Sequence, residues 1–239
     1  DLEEKIKVYE GTLDKLDSLE IPYTLISGIT VHEEDYIFEM VNGEVENIDT
    51  SLVAQKRYKR LGPSLLELGK EKIEDLCLFI AHELMKDGAA LAGLVDQGGK
   101  KDAAQEKLGR AQPVRLNPLA GYIKKQLQNA PQFMDANLQP ADVCKVVVAY
   151  WNEVRNVFPE MFEDVSGIKG EYILFQAIGW YGFGMLGGRF MDQAVMKDGT
   201  GFNFEKKLKI LAKKIDMKRT NPEFSNLSGF TGGKEVYNY

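Results

Sequence analysis

The stretch GEYILFQAIGWYGFGMLGG (residues 170–188) is apolar on almost every side of a helix, which is typical of a helix at the centre of a core. Its glycines at 179, 184 and 188 would each weaken a helix by about 1 kcal/mol relative to alanine, so the sequence predicts that another helix approaches closely. We therefore expect residues 170–187 to form the central helix of the second half. Stacking on nucleic-acid bases is an alternative role for the aromatic residues Trp180, Tyr181 and Phe183, although their apolar neighbours favour packing.

Most of the remaining chain shows the spacing of amphipathic helices. A Thr30–Glu33 capping box predicts a helix that turns Tyr36 and Ile37 inward, and Asp49 or Thr50 is expected to cap the next one. Further helices are predicted over residues 1–19, 63–87, 117–128, 139–157 and 204–218. A strand is predicted over 21–30, and residues 96–112, which are rich in glycine and basic residues, are predicted to form a loop or an exposed arm. The predicted fold class is α+β and predominantly α-helical.

The composition of the chain argues against a membrane span and a signal peptide. The chain has 239 residues and a net charge of −6, and no apolar run approaches the roughly 18 residues that indicate a membrane span. The start of the chain is acidic and amphipathic, unlike a signal peptide. Cys77 and Cys144 both lie in apolar helical patterns and are predicted to be buried thiols, so we expect a reducing, cytoplasmic location.

Charge is unevenly distributed along the chain. Residues 1–49 contain fourteen acidic residues and three lysines, whereas residues 96–130 contain seven basic and three acidic residues, and residues 205–219 seven basic and two acidic ones. Such basic segments can neutralise phosphates, although solvated faces explain runs of this kind more often than binding does. The candidate nucleic-acid contacts are Lys206, Lys207, Lys209, Lys213, Lys214, Lys218 and Arg219 in the predicted helix, and Lys100, Lys101, Arg110 and Arg115 in the arm.

Motifs with catalytic spacing are incomplete in this sequence. The segment 229–234 resembles a phosphate-binding loop, but Ser228 replaces its first glycine and Glu235 its final hydroxyl residue. The pair His82–Glu83 begins like a zinc-protease helix, but Lys86 replaces the second histidine. We expect His82 at the surface of a helix and His32 in solvent. The sequence predicts neither a metal site nor a cofactor.

Four segments carry a resemblance to a known family. In residues 149–162 (AYWNEVRNVFPEMF) a tryptophan-bearing helix ends in Phe-Pro, and the glycine-punctuated stretch follows it. Farther upstream in this chain, residues 21–28 (IPYTLISG) and 34–42 (EDYIFEMVN) are similar to two further elements of the same family, with Phe38 and Asn42 at its pattern positions. The order of the tryptophan-bearing helix and the glycine-punctuated stretch resembles the C-terminal half of the DGQHR-domain proteins, which include the DndB and DpdB proteins of DNA-modification gene clusters. The signature Asp-Gly-Gln-His-Arg is itself absent.

The resemblance implies a domain plan and a role. Residues 1–62 would complete a ParB-like α/β region whose sheet contains the strand at 21–30, and residues 63–239 would form a helical domain. The implied role lies in a bacterial DNA-modification or phage-defence system, as a DNA-binding regulator of transcription or as a partner of the modifying enzyme. DNA and proteins of the same cluster are the expected partners.

Two other functions remain open on the sequence alone. The chain could be a helical protein-interaction scaffold that does not bind DNA and whose acidic segment docks a basic partner. It could also be one part of a nucleotide-hydrolysing enzyme whose motif lies outside this chain.

Overall fold

The structure, a computed structural model, describes residues 27–28, 30, 33–34, 36–37, 49–98, 113–163, 171–196 and 202–224. The chain divides into two compact units, residues 1–34 and residues 35–239. Helices contain 69% of the described residues, which confirms a predominantly helical protein. The predicted helix over 1–19 and most of the predicted strand over 21–30 lie outside the described residues. The boundary between residues 62 and 63, which the family resemblance implies between a ParB-like α/β region and a helical domain, stays a prediction.

Nine helices of the second unit have both ends among the described residues. They are α1 (Thr50–Leu61), α2 (Ser64–Leu68), α3 (Ile73–Met85), α4 (Leu116–Gln128), α5 (Pro131–Asp135), α6 (Pro140–Val157), α7 (Pro159–Glu163), α8 (Ala177–Met196) and α9 (Phe204–Lys214). A 3₁₀ turn, Pro222–Phe224, follows α9. Among these helices none combines the length and the apolar character that a membrane span requires.

The predicted helix caps near the start of the described chain are confirmed. In the first unit the Thr30 backbone N–H donates to the Glu33 carboxylate (2.7 Å), and the Glu33 N–H donates to the Thr30 hydroxyl (3.3 Å). In the second unit the Asp49 carboxylate accepts from the Ser51 N–H (2.9 Å) and caps α1. Tyr36, however, does not point inward. Its side chain is 51% exposed and its ring lies 5.3 Å from the Arg60 guanidinium carbon, so a cation–π contact at the surface replaces burial.

The single helix predicted from 63 to 87 is broken into α2 and α3. The chain turns at residues 69–72, where the N–H of Gly69 donates to the carbonyl of Leu65 and three charged residues follow. At Gly69 an added Cβ would lie 2.8 Å from the Cβ of Leu76, so the turn folds α2 directly against α3. Leu65 and Leu76 are both buried by this arrangement.

The core is built around α3, α4, α6 and α8. Helix α4 packs against both α3 and α8, and α6 packs against both α3 and α9. At the centre the Trp151 and Trp180 rings lie 4.9 Å apart, and Trp151 Nε1 donates to the buried side-chain oxygen of Gln126 (2.9 Å). The packing role of Trp180 and Phe183 is confirmed, since both are buried. Cys77 and Cys144 are buried free thiols, as the sequence predicts.

Close approach at the glycines is confirmed for Gly188 but not for Gly184. A Cβ on Gly188 would lie 2.5 Å from the carbonyl oxygen of Gln126 in α4, whereas a Cβ on Gly184 would lie 3.7 Å from the Gln126 Cβ. The central helix also begins later than predicted, at Ala177. The preceding residues 171–173 are extended because they pair with residues 217–219: the Ile173 N–H donates to the Met217 carbonyl (3.1 Å).

Two short strands were not predicted. Strands β1 (Val95–Asp96) and β2 (Val114–Arg115) pair in parallel, with Val95 opposite Val114. They flank residues 99–112, the greater part of the predicted glycine-rich arm, which lie outside the described residues. Because Arg115 is the N-cap residue of α4, this helix begins at Leu116 rather than after a cap at Asn117.

Candidate nucleic-acid interface

Helix α9 is fixed to the protein along one side. Its first N–H groups are capped by Asn203, whose side-chain oxygen accepts from the Lys206 N–H (3.1 Å). Phe204 and Leu208 are buried, and the Phe204 ring packs edge-on against Tyr150 of α6 with centroids 5.3 Å apart. Anchored in this way, α9 presents its opposite side to solvent in a defined orientation.

Four exposed lysines form what we call the lysine face of α9. Its members are Lys206, Lys209, Lys213 and Lys214. The first three follow one another at intervals of three and four residues, as the sequence predicts for a solvent-facing row. At a rise of about 1.5 Å per residue, the first and third are about 10 Å apart along the helix axis.

The members of the lysine face differ in their partners. Lys209 Nζ binds the Glu205 carboxylate at 2.5 Å, and this hydrogen bond raises the pKa of Lys209. Lys206, Lys213 and Lys214 form no ion pair with any carboxylate in the described part of the chain. These three ammonium groups can therefore take an external anion without breaking an internal ion pair there.

The other basic residues of the predicted helix lie off this face. Lys207 Nζ sits 4.5 Å from the Phe190 ring centroid and donates to the Gln193 side chain (2.9 Å). Helix α9 ends at Lys214 instead of continuing to 218, because Ile215 is extended and residues 217–219 pair with 171–173. Lys218 Nζ binds the Glu171 carboxylate, and the exposed Arg219 follows in the turn.

The sequence places Arg115 in an exposed basic arm, but in the structure its side chain contacts two carboxylates of the protein. Its guanidinium binds the Asp49 carboxylate at 2.9 Å and lies 3.8 Å from that of Asp96. It thereby ties the cap of α1 to strand β1. The remaining candidates lie outside the described residues: Lys100, Lys101, Arg110, Phe38 and Asn42.

A cleft of about 520 Å³ adjoins the lysine face, between the C-terminal ends of α6 and α9. Its polar lining comprises Glu160, Tyr172, Lys213, Lys214, Asp216 and Lys218. Tyr172 is not among the candidates predicted from the sequence, because the apolar pattern places residue 172 in the central helix. The antiparallel pairing of Tyr172 with Lys218, which joins segments distant in sequence, brings this residue to the wall of the cleft.

His82 is buried, so the expectation of a surface ring is wrong. Helix α1 covers it: the Tyr58 and His82 rings stack with centroids 3.4 Å apart. Burial lowers the pKa of His82 to about 4, which keeps the imidazole neutral at physiological pH. No three His, Cys, Asp or Glu side chains among the described residues are grouped to hold a metal ion. His32 and the segment 229–234 lie outside those residues.

Comparison with protein-family models, curated proteins and solved structures gives no significant match to this chain. The resemblance to the DGQHR-domain family therefore stays a prediction.

Proposed function

We propose that this protein associates with DNA in the cytoplasm, within a bacterial DNA-modification or defence system, as a regulator or as a partner of the modifying enzyme. Its contact with DNA is the lysine face of α9. The observation that carries the proposal is the exposure of Lys206, Lys213 and Lys214 on a helix whose other side is buried. The resemblance of residues 149–188 to DGQHR-domain proteins supports the same role, and it extends the proposal to a ParB-like α/β region within residues 1–62.

Lysine side chains on such a face suit the phosphate backbone better than the bases. An ammonium group neutralises phosphate without reading sequence, and each neutralised phosphate releases counterions. With three contacts, the expected slope of log K against log salt concentration is about −2.7, and affinity should fall about 40-fold between 50 and 200 mM salt.

The acidic character of the whole chain is compatible with this local contact. A net charge of −6 repels DNA at long range, but charges farther away than about 8–10 Å are largely screened at physiological ionic strength. The lysines at 206 and 213 would lie within that distance of a phosphate backbone docked on this face. Binding should therefore be weak and local, as expected of a single backbone-contacting helix.

The test is fluorescence anisotropy with a labelled 20-base-pair duplex at 50 mM salt. The triple variant Lys206→Gln, Lys213→Gln, Lys214→Gln removes the ammonium groups that have no internal ion pair among the described residues. We expect its affinity to fall at least tenfold, since phosphate contacts supply most of non-specific binding.

The matched control changes three exposed lysines elsewhere on the protein: Lys70→Gln, Lys72→Gln and Lys145→Gln. Its net charge equals that of the triple variant, so it measures the effect of overall charge alone. If the control loses as much affinity as the triple variant, the lysine face is not the contact. If the unaltered protein binds neither duplex nor single-stranded DNA at 50 mM salt, the proposal itself is wrong.

A further inference from the structure

We propose that the cleft beside the lysine face binds an unpaired nucleotide, so that the protein prefers single-stranded DNA to an intact duplex. This inference rests on the proposed function and adds the form of DNA that is recognised. The base would stack on Tyr172, and its phosphate would meet Lys213 and Lys214.

The cleft has a fixed wall. The Ile173 N–H donates to the Met217 carbonyl (3.1 Å) and the Arg219 N–H donates to the Glu171 carbonyl (2.8 Å), so residues 171–173 are bound to 217–219 on both sides of Tyr172. Tyr172 is partly buried and lines the cleft. Because these pairs fix its backbone, only the side-chain torsions of Tyr172 lose freedom when a base stacks on it.

The cleft is also continuous with the lysine face. Lys213 lines both the cleft and the shallow depression along α9, which Lys206, Lys209 and Ile210 also line. A strand whose phosphates lie along the lysine face therefore reaches the cleft at Lys213. Along the lysine face the protein would contact phosphates alone, whereas in the cleft it would contact both a phosphate and a base.

The side chains of the cleft match the parts of a nucleotide. Stacking on an aromatic ring suits any base, and the two lysines at the end of α9 suit its phosphate. Glu160 and Asp216 supply carboxylate acceptors, which can receive a hydrogen bond from the amino group of cytosine but not from thymine, which has none. In an intact duplex the base faces are stacked on their neighbours and are not accessible to Tyr172.

The experiment compares Tyr172→Ala with Tyr172→Phe by fluorescence anisotropy, using a labelled 15-nucleotide oligo-dC, an oligo-dT and a blunt duplex at the same salt concentration. The unaltered protein should bind oligo-dC most tightly. Tyr172→Ala should weaken binding to oligo-dC by about 5- to 100-fold, the usual effect of removing a stacking aromatic, while Tyr172→Phe keeps the ring and the affinity. Binding to the duplex should not change in either variant.

The outcomes separate the two proposals. Duplex binding that depends on the lysine face, together with oligo-dC binding that is unaffected by Tyr172→Ala, overturns the cleft and leaves the proposed function intact. Absence of binding to all three DNAs overturns both. Because Tyr172 contributes its backbone to the pairing with Lys218, circular dichroism melting of each variant shows whether the fold is kept; a matching loss of duplex affinity in Tyr172→Ala also counts against the cleft.

Discussion

Replacing Gly188 by alanine tests the close packing of α8 against α4. The new Cβ would lie 2.5 Å from the carbonyl oxygen of Gln126 and 3.0 Å from the carbonyl group of Asn129. Both neighbours are backbone atoms, which cannot move aside without shifting the end of α4. Overpacking of this kind costs about 1–3 kcal/mol, and the gain in helix propensity returns about 1 kcal/mol.

We expect Gly188→Ala to lower the free energy of unfolding by about 2 kcal/mol, because the obstacle is backbone and the cost lies at the upper end of the overpacking range. For a chain of this size that corresponds to a melting temperature lower by about 4–8 °C. Circular dichroism at 222 nm during heating, together with urea unfolding at 25 °C, measures both quantities.

Gly184→Ala is the matched control, one helical turn away. Its Cβ would lie 3.7 Å from the Gln126 Cβ and 3.9 Å from the Tyr122 carbonyl oxygen, which are ordinary contact distances. Only the propensity gain of up to about 1 kcal/mol should remain, so this variant should be more stable than the parent. Equal stability changes of the same sign at the two positions would refute the packing of α8 on α4.

Two further predictions concern buried polar groups. His82 has its pKa lowered to about 4 by burial, so below pH 6.5 the unfolded chain binds a proton that the folded one does not; stability should fall by about 2–3 kcal/mol between pH 7 and pH 4.5. His82→Phe keeps a ring against Tyr58 and should remove that part of the fall in urea unfolding at the two pH values. Asp75→Ala removes both hydrogen bonds to Arg57 (2.8 and 3.0 Å) and should cost about 2–3 kcal/mol at pH 7, because a partly buried guanidinium loses its carboxylate. A stability within 0.5 kcal/mol of the parent would mean that this pair does not anchor α1 to α3.

Helix ends were predictable where a local residue determines them. Helix α6 (Pro140–Val157) lies within one residue of the predicted bounds, because Pro140 fits its first turn and Pro159 follows its end. Asp49 caps α1 through its own side chain. Such signals act within a few residues, so the sequence alone contains them.

Features that depend on distant segments were not predictable. The break at residues 69–72 is set by the packing of Gly69 on Leu76, and the two-residue strands are too short to show a period. Burial of His82 depends on the stacking of Tyr58, which comes from another helix. In each case tertiary contact overrides the local pattern.

The candidate site also combines features that local residues determine with features that depend on distant segments. The exposure of Lys206 and Lys213 follows from helical spacing and the buried side of α9. Lys218 belongs instead to the paired segment 217–219, and Tyr172 faces the cleft only because residues 171–173 bind that segment. A pairing between positions more than forty residues apart leaves no signal in a single sequence.

The most direct test of the account is the salt dependence of binding to duplex DNA. Anisotropy titrations between 50 and 200 mM salt should give a slope of log K against log salt near −2.7 for the unaltered protein, and each lysine removed from the lysine face should reduce its magnitude by about 1. A triple variant with substitutions at Lys206, Lys213 and Lys214 should therefore show a slope close to zero. An unchanged slope in that variant would contradict the claim that the lysine face of α9 is where this protein meets DNA.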